Sequence, residues 1–310
     1  MGIHCGPVSR PARSMKIQNF GMAPNSRIRH ATPWLQSTAL LLCLCLPALA
    51  ADTPASTTEP FLDRGFQGMY NLDFAAAQRD FKAWQQEHPE DPMGPVSEAA
   101  GLLFSEFNRL GVLEAQFYQS DEAFAHRPKP NPDPAVRDRF QAAVSRAQAL
   151  ARTRLAKDAN NHDALLAMTL SSGLQADYAA LIEKHNFTAM HYTKEGATWA
   201  QQLLAIHPQC YDARVATGFS KYLVGSMSAP VRWLMRLGGL PGDKQGGIAD
   251  LQLTAEHGHY LAPFARILLA IAYVREKDDA RALELLTGLH QDFPENTLFP
   301  REIARLQTAH

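Results

Sequence analysis

Four places in the chain carry side chains that could do chemistry. Glu256-His257-Gly258-His259 puts one carboxylate and two imidazoles side by side, donors of the type that bind zinc. A zinc site needs three or four convergent ligands, and no Cys, His or carboxylate cluster elsewhere in the sequence can be matched to this one. The segment reads as a solvated turn between two helices, and no metal ligand is assigned. His185 and His191 are six residues apart with a helix boundary expected at Asn186, so they need not share a face. Cys210 follows Pro208 in a turn. A lone thiol there lacks an adjacent base, and it reads as a small packing residue. Asn186-Phe187-Thr188 fits a glycosylation sequon. The metalloprotease, nucleophile-elbow, phosphate-loop and dinucleotide signatures are absent from the sequence. No catalytic residue and no cofactor is expected.

The elements that would position any site are helical. Pro263 to Pro294 reads as two amphipathic helices joined by a polar turn at Lys277, Asp278 and Asp279. In the second helix Ala282, Leu286, Leu289 and Pro294 follow a 4-3-5 spacing, which Ala77, Phe81, Trp84 and Pro89 repeat, and Gly196, Ala200, Leu203 and Pro208 repeat again. Twelve residues before the helix-B alanine lies a small residue each time in the first and last copies, Gly65 and Ala270. Leu269, Ala270 and Tyr273 with Ala282, Leu286 and Pro294 resemble the two helices of a tetratricopeptide repeat. Such a hairpin cannot bury its apolar face alone and stacks on neighbours. The copies are not evenly spaced, so the expected fold is all-α: a divergent, tetratricopeptide-like, right-handed α-solenoid of antiparallel helix pairs.

Between these copies the sequence predicts one long helix over 92–119, with Phe104, Phe107, Leu110, Leu113 and Phe117 on its apolar stripe. Residues 126–134, HRPKPNPDP, predict an extended connector. Helices are expected over 134–158, 163–184, 188–206 and 211–224. A short one follows over 229–237, then one capped by Asp243, and a last one over 297–307.

From Gly218 to Pro294 the chain resembles a known helical-repeat group. The shared pattern is Val224-Gly225-Ser226-Met227-Ser228, the Pro230-started helix, the loop with Gly242, Asp243, Lys244 and Gly247, then Leu251, Ala255 and the final hairpin. It is similar to the tetratricopeptide repeat protein 39 and inclusion-body clearance family. Through Ala180-Leu181-Ile182-Glu183-Lys184 it is also similar to secreted bacterial repeat proteins. The resemblance implies a fold, and brings no catalytic residues.

The first 50 residues differ in kind. They hold Arg10, Arg13, Lys16, Arg27 and Arg29, no acid, then an apolar run from Ala39 to Leu49 and Ala48-Leu49-Ala50. This predicts a secretory signal peptide over 1–50 cut after Ala50, too short for a comfortable membrane span. A flexible lead-in over 51–60 and a single helical domain over 61–310 follow. Residues 51–310 hold 25 basic against 31 acidic side chains, a formal charge of −6, which gives no footprint for nucleic acid. Only Cys210 lies beyond the leader, so no intrachain disulfide is expected. The address is periplasmic or extracellular.

Two surfaces stand out for binding. Register on the repeat template places Leu62, Phe66, Met69 and Tyr70, with Phe264, Ile267, Ile271 and Arg275, on the concave face that holds ligands in peptide-binding arrays; so apolar a face is either a closed, self-filled interior or an apolar-ligand groove. In Val231–Leu237, Trp233, Leu234 and Leu237 share a face beside Arg232 and Arg236. The helix's shortness and flanking glycines predict a plug into the solenoid core; a dip into a membrane interface is the alternative. The functional expectation is an exported, non-catalytic scaffold that binds a protein or peptide in the cell envelope. An enzyme acting on a small molecule or through a metal, built around an internal cavity, is the alternative.

Overall fold

The computed structural model describes residues 61–113 and 130–308, all within one folded unit. The expected leader, the lead-in and most of the proline connector lie outside them. Among the described residues the protein is all-helical. The helices are α1 (Phe61–Tyr70), α2 (Phe74–Glu87), α3 (Met93–Arg109), α4 (Pro134–Lys157), α5 (His162–Asp177) and α6 (Asn186–Ile206). There follow α7 (Arg214–Gly225), α8 (Ala229–Leu237), α9 (Lys244–His257), α10 (Ala262–Arg275), α11 (Asp279–Asp292) and α12 (Leu298–Thr308). A π-helical turn, Tyr178–Glu183, continues α5, and a 3₁₀ turn, Tyr211–Ala213, precedes α7. The most extensive packing is within the pairs α1–α2, α3–α4, α5–α6, α7–α9 and α10–α11.

Local chemistry explains the repeated boundaries. Helices α2, α6 and α11 each end on a residue followed by proline, which drives that residue out of the α region. His88, His207 and Phe293 adopt φ/ψ of −128/66°, −123/75° and −129/69°, and each N–H still donates to the carbonyl of Trp84, Leu203 or Leu289. The turns entering α2 and α11 also match. Leu72 and Lys277 take left-handed φ of 66° and 61°, and the next residue's N–H donates back to Gly68 O and Tyr273 O at 2.9 Å. Asp73 and Asp278 then cap the new helix by accepting from Ala76 N and Arg281 N.

Two helices depart from expectation. The apolar stripe predicts α3 continuing to Gln119, yet the helix stops at Arg109. Gly111 sits at φ 65° and the Val112 N–H donates to Phe107 O at 2.8 Å, a glycine C-terminal cap. Leu110 and Leu113 therefore lie in a turn, and Phe117 lies outside the described residues. Glu106, buried, pairs with Arg109 and accepts the Asp133 N–H at 2.7 Å, fixing the entry to α4. The predicted helix over 163–184 widens into the π turn and ends on Lys184 at φ 59°. Leu165, Leu166, Met168, Leu174 and Tyr178 are buried around it, as befits a central helix apolar on nearly every side.

The α7–α9 crossing rests on glycine. A Cβ on Gly247 would come within 2.5 Å of Tyr222 N and 2.6 Å of Gly218 O, so only glycine lets the backbones approach. Buried Asp250 then accepts from Thr217 Oγ1 and Lys221 Nζ across the same pair.

The ends of the array meet. Tyr70 Oη donates to Tyr260 O at 2.9 Å, and Asn296 Nδ2 donates to Tyr70 O at 2.8 Å. Phe66 stacks on Tyr260 with ring centres 4.7 Å apart, and Tyr70 packs against Phe293. The first helix is thus sealed against the segments that flank α10 and α11.

Most of the non-proline 4-3-5 positions point inward: Ala77, Phe81, Ala200, Leu203, Ala282 and Leu289 are fully buried and Trp84 partly so, whereas Ala75 and Ala280 are exposed. In the first hairpin the small residue facing Ala77 is Gly68, while Gly65 leaves room for the Phe81 ring. Ala282→Leu and Ala77→Leu should each cost about 1–3 kcal/mol through overpacking. Ala280→Leu and Ala75→Leu should change stability little, since alanine and leucine are both good helix formers. Urea melts of the four variants check the contrast; equal losses within each pair would break the register.

Candidate functional site

A cavity of about 270 Å³ lies among the helices. Helices α1, α2, α3, α5, α6, α7, α10, α11 and α12 contribute to its wall. Of the eight concave-face candidates, Phe66, Met69, Tyr70, Phe264, Ile267 and Ile271 line it. Leu62 is wholly enclosed by protein, and Arg275 is exposed at the end of α10; neither reaches the cavity. The register missed the large share contributed by α3 and α5, because it was built on hairpins at the two ends of the chain. The signal available for α5 was its continuous apolar sequence, which marks a central helix.

Most polar groups in the wall are already engaged. Thr169 and Thr193 hydroxyls donate to Leu165 O and Ala189 O in their own helices. Glu302 and Arg305 pair with each other at 3.1 Å, and Asn296 holds Tyr70. Asp212 accepts backbone N–H groups from His259, Tyr260 and Leu261 at 2.9, 3.0 and 3.1 Å.

Two groups are different. The Ser97 hydroxyl, on α3, is buried with no hydrogen-bond partner among the described residues. Asp177, the last residue of α5, has neither a hydrogen bond nor an ion pair among them. Burial alone pushes its carboxyl up from 3.8 to about 7. Both residues line the cavity. An unpaired acid in an apolar chamber can carry a proton at neutral pH, donate a hydrogen bond, or accept a cation. Gly173, one turn earlier on α5, also faces the cavity, and a Cβ there would meet nothing within 4 Å.

The histidines do not converge. His259 Nε2 bonds Asp63 Oδ1 at 2.7 Å, tying the α9–α10 loop to α1. That bond raises the His259 pKa, so this tie is fully present below the unfolded value of about 6.5 and is lost as pH rises through the higher folded value. His257 turns aside onto the Tyr211 ring. His185 lies near Glu183, and His191 is exposed on α6. Among the described residues no three His, Cys, Asp or Glu side chains come together as metal ligands. Cys210 is a buried thiol packed in the main core.

The expected plug is overturned. Helix α8 buries only Met235 and leaves Val231, Trp233, Leu234 and Leu237 at 44, 64, 63 and 67% exposure. Met235 joins Val224 and Leu240 in a small cluster apart from the main core. Arg232 and Arg236 flank Met235, while Trp233 and Leu237 lie on the opposite side of the helix, so the face that could have entered the core turns outward.

The sequence matches no protein-family profile and no curated protein.

Proposed function

We propose that the chain is an exported, non-catalytic binding protein of the cell envelope, built as a tetratricopeptide-like right-handed α-solenoid. Its inner cavity receives apolar side chains of a protein or peptide partner. The thrice-repeated 4-3-5 register and the two matching turns support the repeat reading, and the basic, apolar, A-x-A leader supports export. The observation that carries the binding role is the cavity itself. Its wall is largely apolar, and among the described residues Ser97 and Asp177 are side chains in it without a hydrogen-bond partner, open to a guest's polar groups. Pockets that hold ligands combine an apolar lining with a few polar groups in this way.

Gly173→Leu tests the reading. The new side chain enters open space, so it should fill the cavity without a clash. Replacing glycine inside a helix should stabilise the protein by about 0.5–1 kcal/mol. A neutral apolar dye, N-phenyl-1-naphthylamine, should bind the wild type saturably and lose that binding in Gly173→Leu. A wild type that takes up no dye, or a variant that binds it equally, would refute the reading.

One observation favours the enzyme alternative. A carboxyl titrating near 7 is matched to general acid–base work at neutral pH. Under that reading Asp177→Asn abolishes turnover of a small substrate while dye uptake persists.

A further inference from the structure

The large apolar side chains that the described residues expose are not scattered. Phe187, Val231, Trp233, Leu234 and Leu237 belong to the start of α6 and to α8; only Ile206 and Leu253 lie elsewhere, each at 36%. The two helices adjoin. Met190 of α6 packs on the Val224–Met235–Leu240 cluster, and Lys194 Nζ donates to Gly238 O at 2.7 Å. Phe187, at 90% exposure, lies on the same helical stripe as Met190 and Lys194.

The charge on these segments is one-sided. Residues 184–194 and 226–242 contain Lys184, Lys194, Arg232 and Arg236 and no carboxylate, on a chain whose residues 51–310 are acidic overall. Arg232 Nη1 donates only to Gly225 O at 3.3 Å, and Arg236 has no hydrogen bond or ion pair among the described residues. Trp233, Leu234 and Leu237 project from a convex, nine-residue helix.

We propose that α8, with Phe187 beside it, docks onto the surface of an anionic lipid bilayer. Trp233, Leu234 and Leu237 would enter the boundary between headgroups and acyl chains, and Arg232, Arg236 and Lys194 would meet lipid phosphates. An interfacial helix has this composition: an apolar face with tryptophan and a flanking row of cations. The charge argues against a second copy of the chain as the occupant. A twofold contact through this face would set arginine against arginine with no acid to separate them. The proposal does not depend on the cavity or its guest.

Vesicle co-sedimentation of the chain tests it, using phosphatidylcholine alone or mixed with phosphatidylglycerol. The wild type should sediment with the mixed vesicles, less so at high salt. Arg232→Gln with Arg236→Gln should weaken that binding about thirtyfold, from about a fivefold loss per cation. Trp233→Ser with Leu237→Ser should remove it, while leaving the circular-dichroism melt unchanged because both side chains are exposed. Binding that is absent, indifferent to phosphatidylglycerol, or retained by the Trp233/Leu237 variant would overturn the proposal. So would a dimer in sedimentation equilibrium that the Trp233/Leu237 variant dissolves.

Discussion

Asp212→Ala should destabilise the protein by about 3 kcal/mol or more, the largest loss expected from any single polar side chain described. The carboxyl is buried and accepts three backbone N–H groups in succession, from His259, Tyr260 and Leu261. Alanine would leave three backbone donors unpaired, the Tyr260 N–H buried and those of His259 and Leu261 partly so, at roughly 1–3 kcal/mol for each one that water cannot reach. The loss should spread, because the same loop presents Tyr260 to Phe66 and to the Tyr70 hydroxyl. Asparagine should cost less. His259 and Leu261 both bond Oδ1, which an amide can keep as an acceptor, and only the Tyr260 N–H would face an NH₂. Urea unfolding of the three proteins should rank them wild type, Asn, Ala. An alanine variant as stable as the wild type would mean that these amides find other partners.

Asp177→Asn should act in the opposite direction at neutral and higher pH. The folded pKa, about 7, lies above the unfolded value near 3.8, so between these limits the folded chain holds a proton that the unfolded chain has released. The stability from this group is fully present below about pH 4 and is lost as pH rises through about 7. A full three-unit shift would correspond to about 4 kcal/mol, and access of water to the cavity reduces this to roughly 2 kcal/mol. Asparagine cannot ionise. The variant should therefore exceed the wild type at pH 8 and lose that advantage by pH 4, as urea melts at the two pH values would show. A difference that does not change with pH would mean that Asp177 is already solvated in the folded state. A protein that keeps an unpaired carboxyl in an apolar cavity wall gives up stability there, and such sacrifices cluster where ligands bind.

Local rules were legible in the sequence. Proline after His88, His207 and Phe293 stopped three helices, and Asp243 was readable as a cap, because those effects act within a turn of chain; the caps at Asp73 and Asp278 went unread. The end of α3 was misread, since Leu110 and Leu113 prolonged an apolar stripe past the glycine that breaks it. Counting grouped Phe66, Met69 and Tyr70, which line the cavity, but the rest of its wall is assembled from helices distant in sequence. Asp177 gave no sign of its burial. An acid at the end of a helix is ordinarily solvent-facing, and only the packing of the surrounding helices encloses this one in the cavity wall. The outward face of α8 was equally hidden, because a pattern of apolar residues shows that a helix has two faces and not which one the protein covers.

The seal between the first helix and the last turns has a consequence for how the chain is made. Tyr70 bonds Tyr260 across 190 residues and is held by Asn296 across 226. At about 5–20 residues per second, a ribosome presents Phe66, Met69 and Tyr70 for roughly 10–45 s before those partners exist. Over that interval α1 and α2 pack on each other and on α3, but the side of Phe66 and Tyr70 that meets Tyr260 and Phe293 stays uncovered. The nascent chain therefore carries part of its apolar interior open until synthesis nears its end, a schedule that favours a holdase at the exit of the tunnel.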